Sequence, residues 1–271
     1  MLILLPPSEA KAVPRLGKPL DLDSLAFPGL GPTREKVLGA LVDLCSPEAD
    51  PELPMHSVVL AEHAARTLGI GPTQRDLLHL NSLVRSAATA RADHVYTGVL
   101  YDALDPDSLS TAARRRAASR LAVTSALFGL VRPGDRIPAY RLSGDTSLPG
   151  LGPVAAAWRP VLGAAVEDAL GYGLLVDLRS TTYAAFWRPP AYLAHRVATV
   201  RVLHESNGRR QVVSHFNKAT KGRIVRAALE HGANPRNPAA LADLLRDLGW
   251  KVEEAPPGRA GTQLDVVVDE L

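Results

Sequence analysis

The sequence of 271 residues has a single cysteine, Cys45. No disulfide can form within the chain, so packing must hold the fold, as suits a reducing compartment. Long apolar runs are missing as well. No stretch approaches the ~20 residues that span a bilayer as a helix, and Met1 to Leu5 is too short and lacks the basic flank of a secretory signal. A cytoplasmic location with no membrane partner is expected. Neither sign of charge dominates, since Lys+Arg 31 against Asp+Glu 28 leaves only +3. That excludes a polycation holding nucleic acid by bulk charge, and any such attraction must come from clustering. Metal and nucleophile spacings are also lacking. The eight histidines (His56, His63, His79, His94, His195, His204, His215 and His231) show no His-x-x-x-His or Cys-rich pattern. Each suits a surface or hydrogen-bonded role better than a ligand role, and no metal or cofactor is expected. There is no Gly-x-Ser-x-Gly elbow and no Walker loop. Ser8 and Lys11 form a Ser-x-x-Lys pair, but the Ser-Asp-Asn and Lys-Thr-Gly companions of penicillin-recognising enzymes are absent.

What the sequence does contain is an ordinary globular composition, 46% hydrophobic and 22% charged, in a chain long enough for a sizeable core. One domain over residues 1–271, monomeric, is the expectation. Leu2 to Leu5 reads as a buried strand stopped by Pro6-Pro7, with polar Ser8, Glu9 and Lys11 beyond its end. In open α/β sheets ligands sit beyond the carboxyl ends of strands, which makes these polar residues site candidates. Helical spacing of apolar residues marks Thr33–Leu44, Ser57–Leu68, Thr73–Val84, Val154–Leu170 and Pro238–Leu248. Leu121–Ser125 and Gly173–Leu178 read as further buried strands, the second also ending in polar residues, Arg179 to Tyr183. Ala198–Leu203 and Gln211–Phe216 suggest a hairpin around Glu205-Ser206-Asn207-Gly208, and Trp250–Glu254 and Gln263–Val268 suggest short strands. Arg91–Tyr101 mixes turn and β-prone residues, and Ala126–Arg141 is too apolar and too rich in Gly and Pro for a solvated linker.

Basic residues cluster in two places. Thr111–Arg141 holds seven arginines against one acid, Asp135, and Gln211–Leu229 holds no acid at all. In the second stretch a helix is expected to start within Asn217–Arg223, so that its free amides and Lys218, Lys221 and Arg223 form an anion site. A further candidate is Pro149-Gly150-Leu151-Gly152-Pro153 followed by a helix. It resembles the hairpin and second helix of a helix-hairpin-helix element, in which closely spaced glycines let the backbone approach phosphates. Arg141–Ser147, with Gly144 and Asp145, makes a poor first helix, and similar Gly-x-Gly-Pro runs occur at Gly29–Pro32 and Gly69–Pro72.

Several blocks in order resemble the YaaA family of peroxide-stress proteins over nearly the whole chain. They are Met1–Lys11, Val95–Gly98, Leu127–Pro133, Pro138–Leu142, Leu178–Tyr183 and Lys218–Arg223. Ala10 and Ala12 stand where that family often has Gly and Thr. The resemblance implies a single mixed α/β domain with surrounding helices and a basic cleft, DNA binding, and a role in limiting free intracellular iron during peroxide stress.

If the strand ends share one sheet, Ser8, Lys11, Arg132, Tyr140, Arg141, Arg179, Ser180, Tyr183, Lys218, Lys221 and Arg223 pool in that cleft. Gly150 and Gly152 would add a phosphate-binding turn. Two functions fit such a site. One is phosphate-directed DNA binding with little base readout. The other is an enzyme on a small anionic substrate or nucleotide, with Lys11 or Lys218 as base or nucleophile.

Overall fold

The computed structural model describes residues 1–46, 54–206, 209–212 and 214–268, without the side chains of 54–57 and 214–216. In chain order the strands are β1 (Leu2–Leu5), β2 (Ala90–Arg91), β3 (Leu121–Ser125), β4 (Gly129–Val131), β5 (Arg136–Ile137), β6 (Ser147–Leu148), β7 (Gly152–Pro153), β8 (Leu175–Asp177), β9 (Val197–Ser206), β10 (Arg209–Gln211), β11 (Lys251–Glu254) and β12 (Thr262–Val268). The helices are α1 (Gly31–Cys45), α2 (Pro54–Thr67), α3 (Asp76–Ser82), α4 (Ala92–Val95), α5 (Val99–Leu104), α6 (Thr111–Arg120), α7 (Val154–Leu170), α8 (Thr181–Ala184), α9 (Ser214–His231) and α10 (Pro238–Asp247). Among the described residues no helix is long and apolar enough to cross a membrane.

An eight-stranded mixed sheet, ordered β11-β12-β9-β8-β1-β3-β4 with β10 paired to β9, organises the fold. Its inner strands β12, β9, β8, β1 and β3 run parallel, while β11 and β4 close the two edges antiparallel. A parallel sheet covered on both faces needs continuously apolar strands. Leu2–Leu5 meets that need, and Leu121–Ser125 and Leu175–Asp177 are equally buried but end in polar Thr124, Ser125 and Asp177. Parallel direction also sends the carboxyl ends of β1, β3 and β8 to one rim of the sheet, the place where polar loops gather.

Helix α7 lays Val154, Trp158, Leu162, Val166 and Leu170 against the core, one residue per turn on one face. Trp158 also fixes the loop after β3. Its indole N–H donates to the Ala126 carbonyl at 2.7 Å, and its ring packs where a side chain on Gly129 would stand. Arg34 of α1, fully buried, donates to the Phe128, Ala26 and Leu130 carbonyls at 3.0, 2.6 and 2.8 Å. Ala126–Arg141 is therefore a packed segment whose Ala126, Phe128 and Leu130 carbonyls are satisfied by Trp158 and Arg34.

Three local expectations change. Helix α9 begins at Ser214, ahead of the expected Asn217–Arg223 junction, so the strand assigned to Gln211–Phe216 ends at Gln211 and the basic block lies inside the helix. The Asn207-Gly208 turn between β9 and β10 lies outside the described residues. Residues 90–104 are mostly helical, with α4 and α5 separated at Gly98, whose φ of +90° breaks the helical path. Thr73–Val84 is split into a 3-10 turn at Pro72–Gln74 and the shorter α3.

Candidate functional site

Beyond the end of β1 the chain turns through Pro6-Pro7 and brings Lys11 back over the rim. The turn is locked from within: the Ser8 hydroxyl donates to the Ala10 carbonyl at 2.5 Å and accepts the Thr97 amide at 3.0 Å, and Lys11 forms an antiparallel bridge with Tyr96. The Lys11 amine donates to the Ser8 carbonyl at 2.7 Å and the Glu9 carbonyl at 3.3 Å, and stands 4.2 Å from the centre of the Tyr140 ring. Burial first and Arg141 second drive its pKa down to about 7, against the opposing pull of Glu9.

Tyrosines form the floor under that amine. The hydroxyls of Tyr96 and Tyr140 lie 3.0 Å apart, Tyr140 reaches the Ser125 hydroxyl at 2.8 Å at the end of β3, and Tyr101 donates to the Pro6 carbonyl at 2.7 Å. Burial raises the pKa of Tyr96, Tyr101, Tyr140 and Tyr183, so all four stay neutral phenols. The Tyr183 ring tilts against Phe186 at 5.2 Å, with Gly144 packed beside it. Tyr96 and Tyr101 join the residues expected here. Both lie in the stretch Arg91–Tyr101 that mixes turn and β-prone residues.

The two arginines of the rim are each matched by an acid. Arg141 is held at its backbone, where Asn81 accepts from the amide and donates to the carbonyl, both at 2.8 Å. Its Nη1 meets the Glu9 carboxylate at 3.1 Å, and its buried Nε has no partner among the described residues. Arg179 makes a two-pronged pair with buried Asp177, Nε to Oδ1 at 2.9 Å and Nη2 to Oδ2 at 2.7 Å, and also donates to the Tyr183 and Trp187 carbonyls. Lys221 donates to the Leu178 carbonyl at 3.2 Å, and burial lowers its pKa while Asp177 pulls the other way. Leu178 itself bonds back to Leu4 of β1, so these groups sit at the neighbouring strand end. The expected excess of unpaired cations in the cleft is thus reduced. Arg179 is a structural brace, and Arg141 is shared with Glu9.

The remaining candidates separate. Ser180 is exposed beside this rim as the first residue before α8, and its side chain makes no cap. Lys218 and Arg223 are exposed on α9, while Gly222 between them is pressed into α5, where an added Cβ would lie 2.2 Å from the Leu100 carbonyl. Arg132 is not at the rim. It donates to the Ser119 and Leu121 carbonyls at the opposite, amino end of β3 and stacks its guanidinium 5.0 Å from the Phe27 ring. Gly150 and Gly152 are elsewhere too. They belong to the β6–β7 hairpin, and Arg141–Leu148 before it is loop and strand, so the first helix of a helix-hairpin-helix is missing. Pro149, Gly150 and Leu151 line a hollow of about 670 Å³ together with Glu35, Lys36, Asp43 and His63 of α1 and α2, and Glu35 is itself paired with Arg85.

Among the described residues no group of three or more His, Cys, Asp and Glu side chains is placed to hold a metal ion. The chemistry on offer at the rim is a partly neutral amine, a guanidinium and several neutral phenols.

The family model described as peroxide stress protein YaaA matches residues 1–255. A UPF0246 protein of Streptomyces coelicolor is 49% identical over 273 aligned residues, covering 100% of both chains. Others, from Corynebacterium efficiens and Corynebacterium glutamicum, are 41% and 37% identical, over 93% and 94% of this chain and 95% and 96% of their own lengths. Matches of this extent account for the ordered blocks from the β1 turn to α9, and the chain belongs to the YaaA peroxide stress protein family.

Proposed function

We propose that the protein serves the peroxide-stress response by binding a small anionic ligand at the strand-end rim, with Lys11 as the reactive group and Arg141 as the anion contact. The observation that carries this reading is the Lys11 amine itself, half-buried over Tyr140 with its pKa brought to about 7. An amine that is partly neutral at physiological pH can act as base or nucleophile, which an ordinary surface lysine does poorly. Loss of calorimetric binding of small carboxylates or phosphates in both Lys11→Met and Arg141→Ala supports the reading. Unchanged binding in both variants overturns it.

DNA binding is the second reading, favoured by Lys218 and Arg223, exposed on a helix that carries no acid before Glu230. Each phosphate contact releases counterions, so log K for duplex DNA falls against log salt by about 0.9 per contact. On this reading Lys218→Ala/Arg223→Ala makes that slope shallower by up to about two, equally for unrelated sequences. Absence of duplex binding at low salt excludes it. Limitation of free intracellular iron is the physiological outcome we attach to either ligand.

A further inference from the structure

We propose that Lys11 condenses with an aldehyde or ketone bearing a carboxylate, forming an imine at the strand-end rim. The inference rests on the anionic-ligand reading and narrows it to one substrate class. Valence makes the first part of the case. A neutral amine has two N–H groups and one lone pair, and the Ser8 and Glu9 carbonyls, at 2.7 and 3.3 Å, account for both N–H groups. The lone pair is then the only free valence of the nitrogen. The amine stands 4.2 Å from the centre of the Tyr140 ring, beside the Ser8–Lys11 turn.

The carboxylate has a place prepared for it by Glu9. That side chain is 78% exposed, yet its carboxylate meets Nη1 of Arg141, which is only 20% exposed and whose backbone is clamped by Asn81. A fixed guanidinium paired with an exposed, solvated carboxylate can exchange it for a ligand's carboxylate, because Glu9 loses little on returning to water. The reaction balances without an oxidant. The Lys11 lone pair adds to the carbonyl carbon, the carbonyl oxygen gains the proton that nitrogen gives up, and the carbinolamine loses water to leave the C=N bond.

The test uses the full chain, glyoxylate as probe, and cyanoborohydride to reduce any imine to a stable secondary amine, with adducts located by peptide mass mapping. The other five lysines and the Met1 amine are internal controls. Labelling of Lys11 at least about tenfold faster than any other amine is expected, with slower labelling by propanal, which has no carboxylate. Lys11→Arg removes the adduct, and Glu9→Gln, a surface change that frees Arg141, speeds it. Labelling spread evenly over the lysines, or directed mainly to Met1, overturns the inference. Calorimetry with glycolate, which has the carboxylate but no carbonyl, separates the two levels. If glycolate binds and Lys11 is not labelled, the imine fails while the anion site stands; if neither occurs, both fail.

Discussion

Burial, with Arg141 nearby, disfavours the charged form of the Lys11 amine, and this gives Lys11 a pH signature that can be read in the stability of the whole fold. Its pKa is about 7 in the folded chain against 10.5 as an ordinary lysine. Between those values the unfolded chain binds more protons, so the Lys11 contribution to stability rises with pH, by up to about 1.4 kcal/mol per unit, and is flat below 7. The four buried tyrosines act in the opposite sense above pH ~10, where the unfolded phenols ionise and the folded ones do not. Denaturant unfolding of wild type and Lys11→Met at pH 7, 8 and 9 is therefore expected to show the difference shifting toward the wild type at each step. A difference independent of pH would mean that the amine is not perturbed. Arg34 poses the reverse case, a cation kept inside by the carbonyls it satisfies. Arg34→Met strands the Phe128, Ala26 and Leu130 oxygens and should cost about 3–5 kcal/mol in the same experiment. Ser8, Lys11, Tyr140 and Arg141 were legible as site candidates because they follow apolar runs. Arg34 and Asn81 were not, because Thr33-Arg34-Glu35 reads as the polar start of an amphipathic helix and their carbonyl partners lie 60 or more residues away for all but Ala26.

Elements with a clean apolar repeat were legible almost to the residue, as α7 shows with one core contact in each turn. Those whose position depends on another element were not. Tyr, Val, Thr and Gly around residues 95–101 favour strands or turns locally, yet α5 forms because it lies against α9, a tertiary preference that outweighs propensity. The same contact explains Gly222 in the basic block of α9. Gly222→Ala places a methyl 2.2 Å from the Leu100 carbonyl, so the two helices must separate, with a net loss of about 1–3 kcal/mol despite the better helix propensity of alanine. Gly39→Ala in α1 provides the contrast. Its Cβ would meet only the tip of Arg85 at 3.9 Å, and a gain of about 0.5–1 kcal/mol is expected. Equal effects of the two substitutions in thermal unfolding would deny the close α5–α9 approach.

Over the whole molecule, the parallel order of β12, β9, β8, β1 and β3 is what brings sequence-distant loops to one rim. That convergence was legible from apolar runs ending in polar residues. The charge balance of the rim was not, since Glu9 and Arg141 are 132 residues apart and each reads alone as a free charge. Arg132 fell on the far side for a related reason: β4 returns antiparallel to β3 and takes the residue that follows it to the amino end. The central claim is that this rim presents one amine, neutral near physiological pH, beside a guanidinium that accepts a small anion. The most direct measurement is an NMR titration of the six lysine side-chain amines, with Lys11→Arg to assign the signal. One amine titrating near 7, absent from the variant and moved upward by glycolate because an anion favours the charged form, is the predicted result. A Lys11 signal titrating at 10.5 with the ordinary lysines, and unmoved by glycolate, would contradict it.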